Sequence, residues 1–219
     1  MRYVLASAAI IIALAAALGF QREYAASLTV RDTEFRVIEK LAEAAPTAPR
    51  SWRGIRNVML ACYDTQMSIA LQFQPVDRRS AVHANCAGTA NSILSSAPTT
   101  SAAHLVLAAS AAYFEDSGFS MHLAHAQATA PREGWLVARR HALGAGKYTL
   151  LDATGRALWA KDTGVLLEER WGQLVVADTF VAQTDMRQII EALVETLPNE
   201  DQRRFVALVR EKTLARQAY

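Results

Sequence analysis

The chain has 219 residues, of which 52% are hydrophobic, a formal net charge of +2 and two cysteines. A charge so close to balance excludes general nucleic-acid binding through electrostatic field alone. The length suits one domain of ordinary size plus an appendage. Much of the hydrophobic fraction is alanine, the best helix former, so the composition predicts helices packed on helices.

The first element runs from Tyr3 to Phe20 without a charge, close to the shortest length that spans a bilayer. An uncleaved anchor and a signal peptide both fit. Arg2 and the amino terminus supply the charged start, and Ala17-Leu18-Gly19 could serve as a cleavage site. Phe20, Tyr24, Leu28, Phe35, Ile38 and Leu41 fall near helical spacing, as if an anchor helix continued outward. The predicted organisation is therefore a transmembrane anchor (or signal peptide) over 1–20, an amphipathic helix and linker over 21–50, and an all-α domain over 51–219. The predicted placement is a single pass through a bacterial inner membrane, with the carboxyl-terminal domain in the periplasm. The bilayer then becomes a partner through residues 3–20.

Cys62 and Cys86 each sit in a helical pattern, the first starting at Trp52 and the second following Gln74-Pro75-Val76-Asp77. Asp77 suits an N-cap. At 1.5 Å per residue, Cys62 lies roughly 16 Å and Cys86 roughly 12 Å from the turn. In an antiparallel pair the sulfurs are nearly level, so a Cys62–Cys86 disulfide is predicted for an oxidising compartment. Two buried thiols are the alternative.

Ser101–Arg140 follows, with Leu105, Ala109, Ala112 and Tyr113 on one helical face and Phe119, Leu123 and Ala126 on the next. Asp116-Ser117-Gly118 is the turn between them, Pro131 ends the pair, and another helix starts at Trp135. Tyr148–Asp162 is ambiguous. It is either a strand hairpin turning at Ala153-Thr154-Gly155 or a helix from Leu150 or Asp152 to Lys161. A helix is expected to start near Gly164. Capping boxes are expected at Asp185/Gln188 and at Asn199/Gln202. The pattern gives about eight helices after the leader.

No constellation announces a reaction. Ala145-Gly146-Lys147 fails as a phosphate loop, because His141 stands where its first glycine belongs and Tyr148 takes the Ser/Thr place. His122 and His125 share a helix face and could join His104 around a metal, but spacing places no helper carboxylate. No catalytic, cofactor-binding or metal-binding residue is assigned. Arg132, Arg139, Arg140, His141 and Lys147, with Trp135 and Tyr148, form a basic cluster. Trp135, Arg139 and Arg140 are its candidate partner-binding residues; the plainer reading makes both arginines the wet face of a helix. Trp52, Trp135, Trp159 and Trp171 suit core anchors better than a sugar platform.

The order alanine-rich helix, turn, Leu123-Ala124-x-Ala126-Gln127, Ala130-Pro131, x-x-Gly134-Trp135-Leu136 and Arg139-Arg140 is similar to tetratricopeptide-like repeats. It departs from them in that Ser110 or Ala111 stands where a tyrosine is usual and Trp135 is displaced. The wider layout resembles small membrane-anchored helical proteins of bacterial surface-polysaccharide polymerisation and export. It shares one apolar leader, a cysteine in each of the first two helices, Ile93-Leu94…Pro98, the Ala-Pro-x-x-Gly-Trp-Leu segment and a helical tail. The resemblance implies antiparallel helical hairpins in an α-solenoid or bundle, and a scaffold or adaptor that binds an inner-membrane or periplasmic protein. It carries over no catalytic residue. The rival expectations are a periplasmic enzyme acting on glycans and an architectural subunit of a membrane complex.

Overall fold

A computed structural model describes residues 10–14, 16–21, 23 and 32–217. Every regular element among them is helical, so the protein is all-α. Part of the Tyr3–Phe20 leader lies outside the described residues. Among the described residues no helix is long and apolar enough to cross a membrane. That finding overturns the placement as a single-pass inner-membrane protein. Nor is there one helix from Phe20 to Leu41, because Asp32 and Thr33 are non-helical ahead of a separate helix. The chain divides into two compact units at Phe114/Glu115. The division falls just ahead of the Asp116-Ser117-Gly118 turn predicted for the central hairpin.

The first unit holds α1 (Glu34–Glu43), α2 (Trp52–Gln66), the short α3 (Ile69–Gln72), α4 (Val76–Ser96) and α5 (Ser101–Phe114). Helix α1 buries a single stripe, Val37, Ile38 and Leu41, against α4 and α2. Helix α5 buries nearly every residue from Ser101 to Ala112 and packs on both α4 and α2. Apolar on all sides, it is the core element of this unit. Its alanines set how closely neighbours approach, which is why the pattern on α5 is composition rather than amphipathic periodicity.

Local chemistry fixes the helix ends. The Ser51 hydroxyl accepts from Gly54 N at 2.9 Å and caps α2, and Ser68 does the same for α3 through Leu71 N at 3.1 Å. Glu23 adds an outer cap to α2, accepting from Arg50 N at 3.0 Å, from Ser51 N at 2.8 Å and from the Ser51 hydroxyl. The Ser51 hydrogen bonds, side chain first, hold the Glu23 carboxyl below the usual carboxylate range. Side chains of α4 satisfy carbonyls at the end of α1 and beyond it: Asn85 Nδ2 donates to Leu41 O at 2.9 Å, and Thr89 Oγ1 to Pro46 O at 2.8 Å. Asp77 is not the cap of α4; that place falls to Pro75, and Asp77 sits in the first turn.

The second unit holds α6 (Phe119–Thr129), α7 (Gly134–Gly146), α8 (Ala153–Leu167), α9 (Arg170–Ala182), α10 (Arg187–Val194) and α11 (Asn199–Gln217), with 3-10 turns at Tyr148–Leu150 and Thr184–Met186. It begins at Glu115, whose φ of 54° lies in the left-handed region, and Asp116 Oδ1 then accepts from Gly118 N at 2.6 Å. Helix α8 is central, packing on α6, α7, α9 and α10. Tyr148–Asp162 resolves as the 3-10 turn and the start of α8, not as a strand hairpin: Asp152 caps α8 by accepting from Gly155 N at 2.7 Å. That cap fixes Gly155 inside the first turn, where a strand hairpin would have turned.

Other predicted boundaries move. Gly164 lies inside α8, and the next helix starts only at Arg170. Asp185 falls in a 3-10 turn, and α10 has no side-chain cap. Gln202 does not reach back within its own helix. Its Nε2 donates to Leu197 O at 2.8 Å and Glu195 O at 3.1 Å, capping the end of α10 instead. Phe180 and Phe205 meet edge-to-face at 5.9 Å and join α9 to α11.

Candidate functional site

The two cysteines come together in the first unit. Cys62 on α2 and Cys86 on α4 place their sulfurs at bonding distance with Cα atoms 5.6 Å apart, and both are fully buried. Beside them a polar relay crosses the core. Gln66 Nε2 donates to Ser110 Oγ at 2.7 Å, and Ser110 Oγ donates to His83 O at 3.0 Å. The His83 ring stacks on Tyr113 at 4.0 Å.

The basic cluster of the second unit splits into surface and interior. Trp135 and Arg139 on α7 are half-buried. The Arg139 guanidinium lies 5.5 Å from the Trp135 ring centroid, and the indole N–H donates to Glu133 Oε1. Arg132 is exposed and pairs with Glu168 at 3.2 Å. Arg140 is different. It is 2% exposed and cannot face a partner, so it leaves the predicted docking set and is no part of a wet helix face either.

Arg140 engages four oxygens. Its Nε donates to Asp162 Oδ2 and its Nη2 to Asp162 Oδ1, both at 2.8 Å. Its Nη1 donates to Ala130 O at 3.2 Å and Ala126 O at 3.3 Å. The bidentate fork ties α7 to α8, and the other nitrogen satisfies carbonyls at the end of α6. Each guanidinium nitrogen thus has an acceptor, which offsets the cost of taking the pair out of water.

The next residue, His141, is fully buried. Its Nδ1 lies 2.9 Å from Thr163 Oγ1 on α8, and its Nε2 lies 3.0 Å from Thr179 Oγ1 on α9. Thr163 Oγ1 donates its only proton to Trp159 O at 2.9 Å, so it accepts from His141. Nδ1 therefore carries the proton of the neutral ring, and Thr179 Oγ1 gives its own to Nε2 at 3.0 Å in preference to Val175 O at 3.4 Å. Burial pushes the imidazole down to about 4, which keeps this ring neutral at ordinary pH. Trp159 stacks on it at 5.2 Å and donates from Nε1 to His141 O at 3.0 Å. Gly144 makes room for that indole, since a Cβ there would stand 3.4 Å from Trp159 Cγ and closer still to Cδ1.

Spacing missed Asp162, Thr163 and Thr179. A signal existed. Arg140 and His141 follow Leu136 and Val137 by four, and Asp162 and Thr163 fall between Trp159 and Leu166. Polar residues that continue a dry stripe on two successive helices are candidates for each other. The tryptophans also divide. Trp159 is an interior anchor at 3% exposure, whereas Trp52 is 59% and Trp171 45% exposed. His104 belongs to the first unit and His122 and His125 to the second. Among the described residues no group of three or more His, Cys, Asp or Glu is placed to hold a metal.

Comparison with protein-family models, with curated proteins and with solved structures finds no match to this chain.

Proposed function

We propose that this chain is a non-catalytic helical scaffold that holds a partner protein on its helix faces. The observation that carries the reading is the state of its most reactive-looking side chains. Arg140, Asp162 and His141 are engaged with one another's helices, and each polar atom of the His141 ring already has a threonine partner. They act as ties between helices, and a chain built of such ties presents fixed faces. Helices packed side by side in succession, α4 on α5 and α7 on α8 on α9, are the elements from which tetratricopeptide-like scaffolds build binding surfaces. The Ala130-Pro131-x-x-Gly134-Trp135-Leu136 segment and the cysteine pair add a finer reading, a partner in surface-polysaccharide polymerisation or export. Trp135 and Arg139 are the part of the predicted docking set that meets solvent.

The test is capture from the native host with the tagged full-length chain, gentle crosslinking and quantitative mass spectrometry. One protein should co-purify at a fixed ratio. Arg139→Glu should reduce capture severalfold with unchanged helicity by circular dichroism. Absence of any partner at a fixed ratio would overturn the scaffold reading, and capture indifferent to Arg139→Glu would remove the Trp135–Arg139 face.

A further inference from the structure

The connection from α2 to α4 carries a surface that neither the buried ties nor the Trp135–Arg139 face uses. Thr65 to Val76 pass without a charge. Within that stretch Leu71 is buried and anchors α3, whereas Phe73 is 84%, Ile69 71%, Val76 63% and Met67 38% exposed. The backbone beneath them is held. Ser68 caps α3, Gln74 N donates to Leu71 O at 2.9 Å, Gln74 Nε2 to Ala70 O at 3.3 Å, and Arg78 Nη1 to Gln74 Oε1 at 3.1 Å. The four exposed side chains thus stand on a fixed knuckle, and docking on it costs little ordering. An aromatic side chain offers about 150–250 Å² and an aliphatic one somewhat less, so these exposures amount to roughly 450 Å² of apolar surface. Patches of that size commonly serve as interaction sites.

We propose that this knuckle is the contact between two copies of the chain, paired about a two-fold axis that passes beside Phe73. Area and charge select that occupant. Two facing copies remove roughly 900 Å² of apolar surface, and Gln72 and Gln74 at the rim bring the total to the about 1,000 Å² that a specific interface needs. A patch without charge meets its own image with no like-charge repulsion, and it holds nothing that would favour a charged segment. Two-fold pairing asks for a self-complementary surface, which a knuckle of one chemistry supplies. An interface at the small end of the specific range gives weak, micromolar pairing. The inference does not depend on the scaffold reading; where both hold, the dimer offers the docking face twice.

Sedimentation velocity of the full-length chain across the micromolar range tests this. A dimer should grow in with concentration. Phe73→Glu should raise its dissociation constant on the order of a hundredfold, because two carboxylates then meet across the axis, with helicity unchanged by circular dichroism. Phe73→Lys should do the same. An equal mixture of the two variants should regain the dimer, since Glu then faces Lys. Val206→Glu, at another exposed apolar position on α11, should leave the dimer as it was. A chain that stays monomeric throughout, a dimer indifferent to Phe73→Glu, or a mixture that fails to regain it overturns the proposal. So does equal loss of the dimer in Val206→Glu. A monomer whose capture of a fixed-ratio partner falls with Phe73→Glu also overturns it, because the occupant is then that partner, and the scaffold reading stands.

Discussion

The two units solve the same problem by different means. Each must hold together helices whose contact faces are rich in alanine and other small residues. The first unit joins α2 to α4 through sulfur, with Cys62 and Cys86 buried beside the Gln66–Ser110–His83 relay. The second contains no cysteine and joins α6, α7, α8 and α9 through Arg140, Asp162, His141 and two threonines. A covalent tie acts largely on the unfolded chain, which it shortens, and is indifferent to pH. A buried polar tie acts on the folded state and depends on each group keeping both its partner and its protonation. The units should therefore fail under different conditions, and hydrogen exchange read separately in each keeps them apart.

The largest expected effect breaks the polar tie from one side. Arg140→Ala leaves Asp162 charged and buried, at a cost of about 3–5 kcal/mol to the second unit. Faster exchange should appear in α7 and α8 peptides. Replacing both partners together, Arg140→Met with Asp162→Leu, should cost far less. If the double variant is as damaged as the single one, the loss comes from packing and not from an orphaned charge.

Next comes the covalent tie. Cys62→Ala with Cys86→Ala, or reduction under denaturing conditions, should destabilise the first unit by about 3 kcal/mol, as the chain-entropy model gives for a loop of this size. Exchange in α2 and α4 should rise while α7 and α8 stay as they were. Equal loosening of both units would abolish the contrast drawn between them.

The smallest effect is a pH slope. His141 is held at about 4 in the folded chain against 6.5 in the unfolded one. Between those values the unfolded state binds the proton and the folded state does not, so stability falls as pH falls. The contribution is fully present above pH 6.5 and is lost progressively towards pH 4. From pH 7 to 5.5 the second unit should lose about 1 kcal/mol. Urea titrations at the two pH values check this, with His141→Gln expected to remove that share of the slope. A slope unchanged in His141→Gln would assign the acid sensitivity to other groups.

The fold class was legible because it depends on composition and periodicity. The alanines of α5 and the stripe Val37, Ile38, Leu41 announce helices whatever their neighbours do. The cysteine pair was legible from two adjacent helical patterns, although the count that set the sulfurs level ran one helix through to Phe73, whereas α2 ends at Gln66 and α3 follows it. Arg140 was not. Arg139 and Arg140 are chemically identical neighbours, and only the 100° step of the helix sends one to the surface and the other inward. Whether a polar residue on a dry stripe is tolerated depends on a partner from another helix, Asp162, which no local window contains. The single-pass placement failed for a different reason. Apolar length is a local property of the sequence, and among the described residues no helix is long and apolar enough to cross a membrane.

The Arg140–Asp162 pair also constrains how this sequence can change over generations. A lineage that alters one member first passes through a form worse than either its ancestor or the doubly altered descendant. The two codons are then expected to be inherited as a unit, changing together or not at all. Arg139, one position away, lies over the Trp135 ring of its own helix and has no part in that pairing.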